Sequence, residues 1–417
     1  MEAIDVRARD EVGELLSVSI HHGVVPRSDL TDDEARADRL NHYKRVSRGD
    51  IVINRMRAFQ GAVGVSDYEG LVSPEYLVLR PADFAVGRYL HYLFRSHWFV
   101  GEMVSRLRGI GSSDQGNVRT PRINAGDLGD IKVPLPPKTA QRAIADFLDI
   151  ETARINALIA KKRRLIELIG ERRMSLMTAG VSGRFTLSGQ HNPSSLPWLD
   201  SIPEHWGEVG LTLVALLGSG HTPSRRRVDW WIESECTIPW VTTGEVARLR
   251  SDRVEYIDES REKISPIGLE NSAAEVHPAD TVVLCRTASA GYSGIIRSDM
   301  ATSQDFATWT CGPLLRPRFL LLCLRAMRGD LLGRLAMGST HKTIYMPDIQ
   351  SIRIPLPPVE EQDEIVETVW RQLDREGHIV DLLTRHIDLL TERRQALITA
   401  AVTGELDVAE STSEQAS

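Results

Sequence analysis

Residues 131–183 return as residues 352–404, with no gap and a constant offset of 221 positions. The first copy opens IKVPLPP (Ile131 to Pro137) and the second IRIPLPP (Ile352 to Pro358), identical at five of seven positions. The copies close on ERRMSLMTAGVSG (Glu171 to Gly183) and ERRQALITAAVTG (Glu392 to Gly404), identical at eight of thirteen. A chain that repeats a unit this long folds with approximate two-fold symmetry. Such symmetry suits a target that itself has two halves, and duplex DNA offers such targets.

The proline-rich opener cannot sit inside a helix and holds the residues before it extended. Helix formers follow without a proline for about forty residues, enough for a rod of roughly 60 Å. Steps of four and three pick out Ile144, Leu148, Glu151, Ile155, Leu158, Lys162, Leu165, Ile169, Arg172 and Leu176 in the first copy. The second copy gives Ile365, Val369, Gln372, Glu376, Ile379, Leu383, His386, Leu390, Arg393 and Leu397. Each is a coiled-coil seam with polar interruptions. A single apolar seam must be buried, and the best partner for each rod is the other. Charge supports the pairing: residues 131–184 hold 11 Lys and Arg against 5 Asp and Glu, and residues 352–417 hold 6 against 14. Gly183 and Gly404 stand where helix C-termini favour glycine.

Between the rods the texture changes to short β-branched runs broken by Gly, Pro, Asp and Ser, as in strand-rich domains. GDIVINRM (Gly49 to Met56) corresponds to ADTVVLCR (Ala279 to Arg286) at an offset of 230, pairing Asp50 with Asp280 and Val52 with Val282. Gly61 and Gly64 then match Gly291 and Gly294, and SPEY (Ser73 to Tyr76) faces SQDF (Ser303 to Phe306). The fold class expected is α+β: two mixed, strand-rich globular domains, each followed by a long helix, the helices packed as a coiled coil with pseudo-two-fold symmetry. The expected boundaries are 1–130 and 185–351 for the globular domains. Openers and helices occupy 131–184 and 352–407, and 408–417 is a disordered tail.

The four cysteines are widely spaced and read as free thiols in a reducing cytoplasm. The charged N-terminus lacks the apolar core of a signal peptide, and no apolar run is long enough to span a membrane. No phosphate loop, GxGxxG or nucleophile elbow is present. No catalytic residue, bound cofactor or metal site is therefore assigned to this chain. A net charge of −7 disfavours tight DNA binding by the chain alone, since phosphate neutralisation needs Lys and Arg.

The PLPP openers, the ERRxxLxTAxVxG helix ends, the GDxV strands and the run SLPWLDSIPEHWGEV (Ser195 to Val209) with GSGHTPSR (Gly218 to Arg225) resemble the specificity subunit of type I restriction-modification systems. The resemblance covers nearly the whole chain. It implies that each globular domain is a target recognition domain for one half-site of a bipartite, asymmetric double-stranded DNA target. The helices would pack as an antiparallel coiled coil and set a gap near one duplex turn, about 34 Å. It further implies a non-catalytic subunit that docks two methyltransferase subunits, which modify adenine from S-adenosylmethionine. Motor-nuclease subunits using ATP and Mg2+ would complete the complex. The alternative is a coiled-coil interaction scaffold with two adaptor domains and no DNA.

Base and phosphate contacts call for Arg, Lys, amide and hydroxyl side chains on exposed elements. In the first domain these are Arg55 and Arg57 at a strand end, and Ser112, Gln115, Asn117 and Arg119 in a glycine-rich loop. In the second they are His221, Thr222, Ser224 and Arg225, then Arg286, then Ser339, Thr340, His341 and Lys342. Trp230 and Trp231 read as a half-buried corner. At an offset of 230 the first domain begins opposite Trp231, so the counterpart of Trp206 to Ser224 is expected to be missing, with the true start upstream or the first strands lost.

Overall fold

The computed structural model describes residues 1–8, 13–20, 23–30, 37–106, 123, 125–185, 189–336 and 342–408. The chain forms two compact units, one made of Met1–Lys162 with Thr384–Ser417, the other of Arg163–Leu383. No helix among the described residues is long and apolar enough to cross a membrane.

The first unit is built on a four-stranded antiparallel sheet in the order Glu2–Ile4, Tyr76–Arg80, Ile51–Asn54, Val63–Val65. Ile51, Val52 and Ile53 are all fully buried. A strand reads as an unbroken apolar run when both its faces are covered. Ile51 and Ile53 face the core made by the helices Gly87–Arg95 and His97–Val104, with Leu93, Phe94 and Phe99. Val52, on the other face, packs with Leu16, Val18, Val24 and Val72 from two small two-stranded sheets.

The second unit repeats this sheet and adds a strand: Ala215–Ser219, Phe306–Cys311, Val282–Cys285, Ser293–Ile296 and Tyr256–Ile257. Val282 and Leu284 pack against the helix Pro317–Ala326, while Val283 and Cys285 face a second core with Val241 and Met300. A further four-stranded sheet orders Glu262–Ile264, Ile238–Val241, Met300–Thr302 and Val276–His277.

Strand register corrects the expected correspondence by one residue. Asn54 pairs with Tyr76 and Cys285 with Phe306, so the two strands match at 231, whereas their partners match at 230. Asp50 is therefore the counterpart of Thr281, and Arg55 of Arg286. The polar pair below the strands agrees: the buried Asp50 takes both Arg80 nitrogens at 2.9 Å, and Thr281 bonds Thr310 at 3.0 Å in the same place. The next turn absorbs the missing residue, and Gly61 and Gly291 both stand at positive φ, 87° and 90°.

The N-terminal expectation is corrected for one strand. Glu2–Ile4 pairs with Tyr76–Arg80 as Leu216–Gly218 pairs with Phe306–Cys311, since Ala3 faces Leu79 and Leu217 faces Trp309. The counterpart of Ala215–Ser219 is therefore present, at an offset of 214 because a shorter connection follows it, while the strand Gly207–Gly210 finds no counterpart among the described residues.

The long helices are Lys138–Val181 and Val359–Thr403, 44 and 45 residues. In the first unit, Ala145, Phe147 and Leu148 share a core with Ile398, Ala401 and Val402, and Arg394 donates to Asn156 at 2.5 Å. In the second, Arg173 donates to the Leu373 carbonyl at 2.7 Å and Arg172 pairs with Glu376 at 2.9 Å. Rising numbers on one helix meet falling numbers on the other, so the pairing is antiparallel in both units. Both helices end on a glycine at positive φ, Gly183 at 74° and Gly404 at 82°.

The buried stripe is rotated from the expected seam. Leu148, Ile155, Ile169, Val369 and Leu390 are buried as expected. Leu158 and Ile379 are 42% and 46% exposed, and Thr152, Ile159, Arg173 and Leu373 take the alternate seam positions. Thr152 reaches them at little cost because its hydroxyl bonds the Leu148 carbonyl at 2.6 Å within the helix. The stripe still repeats at 221: Leu148 with Val369, Thr152 with Leu373.

Candidate DNA-recognition surface

In the first domain the strand Ile51–Asn54 delivers Arg55 to its end. The Arg55 Nε donates to the Ile123 carbonyl at 3.0 Å, and the Ile123 amide donates to the Arg55 carbonyl at 3.3 Å. Arg55 thus clasps the segment that follows the glycine-rich loop. Arg57 is exposed, and no partner for its guanidinium is found among the described residues. It borders an open groove of about 770 Å3 with Ser17, Ser19, Asn54, Ser73 and Glu75 on its walls. This lining offers hydroxyl, amide, guanidinium and carboxylate groups, the donor and acceptor types that read base edges. Ser112, Gln115, Asn117 and Arg119 lie outside the described residues.

The second domain assembles the matching place. Arg286 ends its strand, its carbonyl takes the Ile344 amide at 2.8 Å, and its Nε donates to the Gln304 carbonyl at 2.9 Å. The Ile123 and Ile344 clasps are equivalent, at 221. Thr222 bonds the Gln304 side chain, and the His221 amide donates to Thr302 at 3.0 Å. Three of the expected residues, His221, Thr222 and Arg286, therefore meet around the turn 302–305. Lys342 is exposed, with its ammonium on the Leu332 carbonyl at 3.0 Å. Ser339, Thr340 and His341 lie outside the described residues.

The basic run beyond His221 is mostly engaged within the domain. Arg225 stacks over Trp231 at 3.8 Å and pairs with Glu262 at 2.9 Å, while Trp231 donates to the Ser224 carbonyl at 3.1 Å. Arg227 pairs with Asp229 at 2.7 Å and holds that carboxyl below the usual carboxylate range. Trp230 and Trp231 are half-buried, as expected. Sequence reading passed over Arg226, which is exposed and has no side-chain partner among the described residues. Asp229, two residues from Arg227, is the signal open to sequence reading, since it marks an arginine already held; Glu262, which holds Arg225, lies too far along the chain to be read that way. Burial pushes the Cys285 and Cys311 thiols up to about 11 and about 12, so neither is a thiolate near neutral pH.

Comparison with known families decides what this architecture is. The family model of the type I restriction modification DNA specificity domain matches residues 38–168 and again residues 203–397. The chain belongs to this family. Its relatives include the type I restriction enzyme EcoBI specificity subunit of Escherichia coli, 22% identical over 75% of this chain and 66% of that protein. The StySPI specificity subunit of Salmonella potsdam is 22% identical over 88% of this chain and 77% of that protein. The putative MjaX specificity subunit of Methanocaldococcus jannaschii is 21% identical over 87% and 80%. A solved structure from a study of assembly and conformational transition of the type I R-M system superposes with a TM-score of 0.66, at 18% identity, covering 97% of this chain and 95% of that one. Two specificity domains on one chain, each with its helix, are the family architecture, and the scaffold alternative finds no support in these relatives.

Proposed function

We propose that the protein is the DNA-recognition subunit of a type I restriction-modification complex, and that it reads a bipartite, asymmetric duplex target. The observation that carries this is the double match to a DNA specificity domain, with the corresponding places of the two domains differently lined. Arg57, Asn54 and Ser73 border one; His221, Thr222 and Arg286 meet at the other. Unlike linings read unlike half-sites. Ser112, Gln115, Asn117, Arg119, Ser339, Thr340, His341 and Lys342 belong to segments running into the Ile123 and Ile344 clasps, and they add contacts to bases or phosphates. Ser224 and Arg225 support the loop that carries Arg226.

The chain supplies no chemistry of its own in this reading. Two methyltransferase subunits bring S-adenosylmethionine, and motor-nuclease subunits bring ATP and Mg2+. Those partners also supply the positive charge that a chain of net −7 lacks for duplex binding. Such a complex works in the cytoplasm, where the DNA is. Single-molecule methylome sequencing of the host with and without the gene tests the proposal. Loss of one bipartite N6-methyladenine motif on deletion is expected; an unchanged methylome refutes it.

A further inference from the structure

Each globular domain is joined to its own long helix through one buried glutamine, and the two joints are copies. Gln141 and Gln362 stand one turn into the helices, 1% and 0% exposed. The Gln141 Oε1 accepts the Val86 amide at 2.7 Å, and its Nε2 donates to the Phe84 and Pro136 carbonyls at 3.1 and 2.8 Å. The Gln362 Oε1 accepts the Arg316 amide at 2.8 Å, and its Nε2 donates to the Leu314 and Pro357 carbonyls, both at 2.9 Å. Phe84 and Leu314, like Val86 and Arg316, correspond at 230; Pro136 and Pro357 correspond at 221. An arginine backs each joint: Arg88 pairs with Asp146 at 2.5 Å and Arg318 with Glu367 at 2.7 Å.

The chemistry admits few other side chains. A buried amide must be bonded at both its oxygen and its nitrogen, and here both ends are. Asn is a methylene too short to reach the domain, and ionised Glu would turn an acceptor toward two carbonyl oxygens. The contacts tie domain, opener and helix at one point. They also reach the domain immediately before the helices Gly87–Arg95 and Pro317–Ala326, which pack on the recognition sheets.

We infer that Gln141 and Gln362 are positioning residues for DNA reading. Each fixes the angle at which its recognition domain stands on its helix, and with it the gap the complex accepts between half-sites. This rests on the DNA-specificity reading above. The test places Gln141→Met or Gln362→Met in the gene at its own locus and measures adenine methylation at sites with the native gap and with one base pair more or less. The expected result is at least a tenfold fall in the ratio of native-gap to altered-gap methylation. A merely structural role would lower methylation at all gaps together and leave that ratio unchanged, which overturns the inference. Should a Met variant fail to melt cooperatively, Gln141→Glu and Gln362→Glu replace it. A protonated Glu keeps the acceptor and one donor, so an intermediate ratio is expected, and a wild-type ratio overturns the inference. Absence of any bipartite motif in the wild type removes the DNA reading itself. In that case amide exchange at Val86 and Arg316 decides the joint alone: tenfold faster exchange in the Met variants supports the clamp and unchanged exchange rejects it.

Discussion

Replacing Asp252 by Asn should destabilise the second unit by about 3–5 kcal/mol, the cost of breaking a buried ion pair from one side. Arg325 has no exposed surface, and its guanidinium donates to the carbonyls of Asp252, Val254 and Ser293 at 2.8, 2.6 and 3.3 Å. Its Nε lies 3.4 Å from the Asp252 carboxylate, which Arg328 also grips at 2.7 and 2.6 Å. One anion therefore serves two cations. Asp252 stands at φ 53°, a conformation that Asn tolerates, so the substitution removes charge without adding strain. Burial already holds the Arg325 pKa down to about 10, so the cation depends on the carboxylate beside it. At about 2–4 °C per kcal/mol for a unit of this size, the melting temperature should fall by roughly 6–20 °C. Urea unfolding and calorimetry of the full chain give both quantities. A fall under about 2 °C would show that the three carbonyls alone hold Arg325, and the argument from the carboxylate would be wrong.

Other substitutions separate binding from stability. Arg57→Ala should weaken DNA binding at all sequences and reduce the salt dependence of log K by about one, measured by titration at several salt concentrations, with no change in melting. Arg225→Ala should instead lower the melting temperature by a few degrees, because it loses the Trp231 stack and Glu262. Gly170→Ala should add up to about 1 kcal/mol, since a Cβ there meets nothing within 4 Å. Gly180→Ala should cost about 1–3 kcal/mol, as its Cβ would lie 2.6 Å from Val369. Burial, with help from Arg95, holds the His91 imidazole at about 4, below its unfolded value of 6.5. The sign follows: stability is complete above pH 6.5 and falls as the pH drops toward 4, by about 2 kcal/mol at pH 5. Urea midpoints should show this slope in the wild type and lose most of it in His91→Phe.

Much of this molecule was legible because repetition repeats constraints. The repeated domain-and-helix unit, the helix ends at Gly183 and Gly404 and the pairing of the two helices follow from residues copied at 221, and the antiparallel sense followed from the family resemblance. What escaped were details that depend on where polar groups find partners. The seam was drawn through Leu158 and Ile379 because they are apolar, but Thr152 and Arg173 bring their own hydrogen bonds and are buried in their place. The strand correspondence slipped by one because Asp280 resembles Asp50, whereas register sets Thr281 opposite Asp50. Arg225 was read as a contact residue, yet it and Arg227 are both held by carboxylates. Their carboxylate partners, Glu262 and Asp229, differ in distance along the chain, and only the nearer could be read from sequence. The counterpart of Ala215–Ser219 was thought absent because a single offset was applied across a connection of different length.

The glutamine joints have a consequence for how such a protein changes its target. The hydrogen-bond partners of the Gln141 and Gln362 amides all belong to the main chain, so these bonds do not depend on which side chains the domain carries there. A foreign recognition domain that offers one amide and one carbonyl two residues apart, ahead of its first core helix, would plug into the same socket. New specificity can then be acquired by exchange of whole cassettes, while the helices and their partners are inherited unchanged.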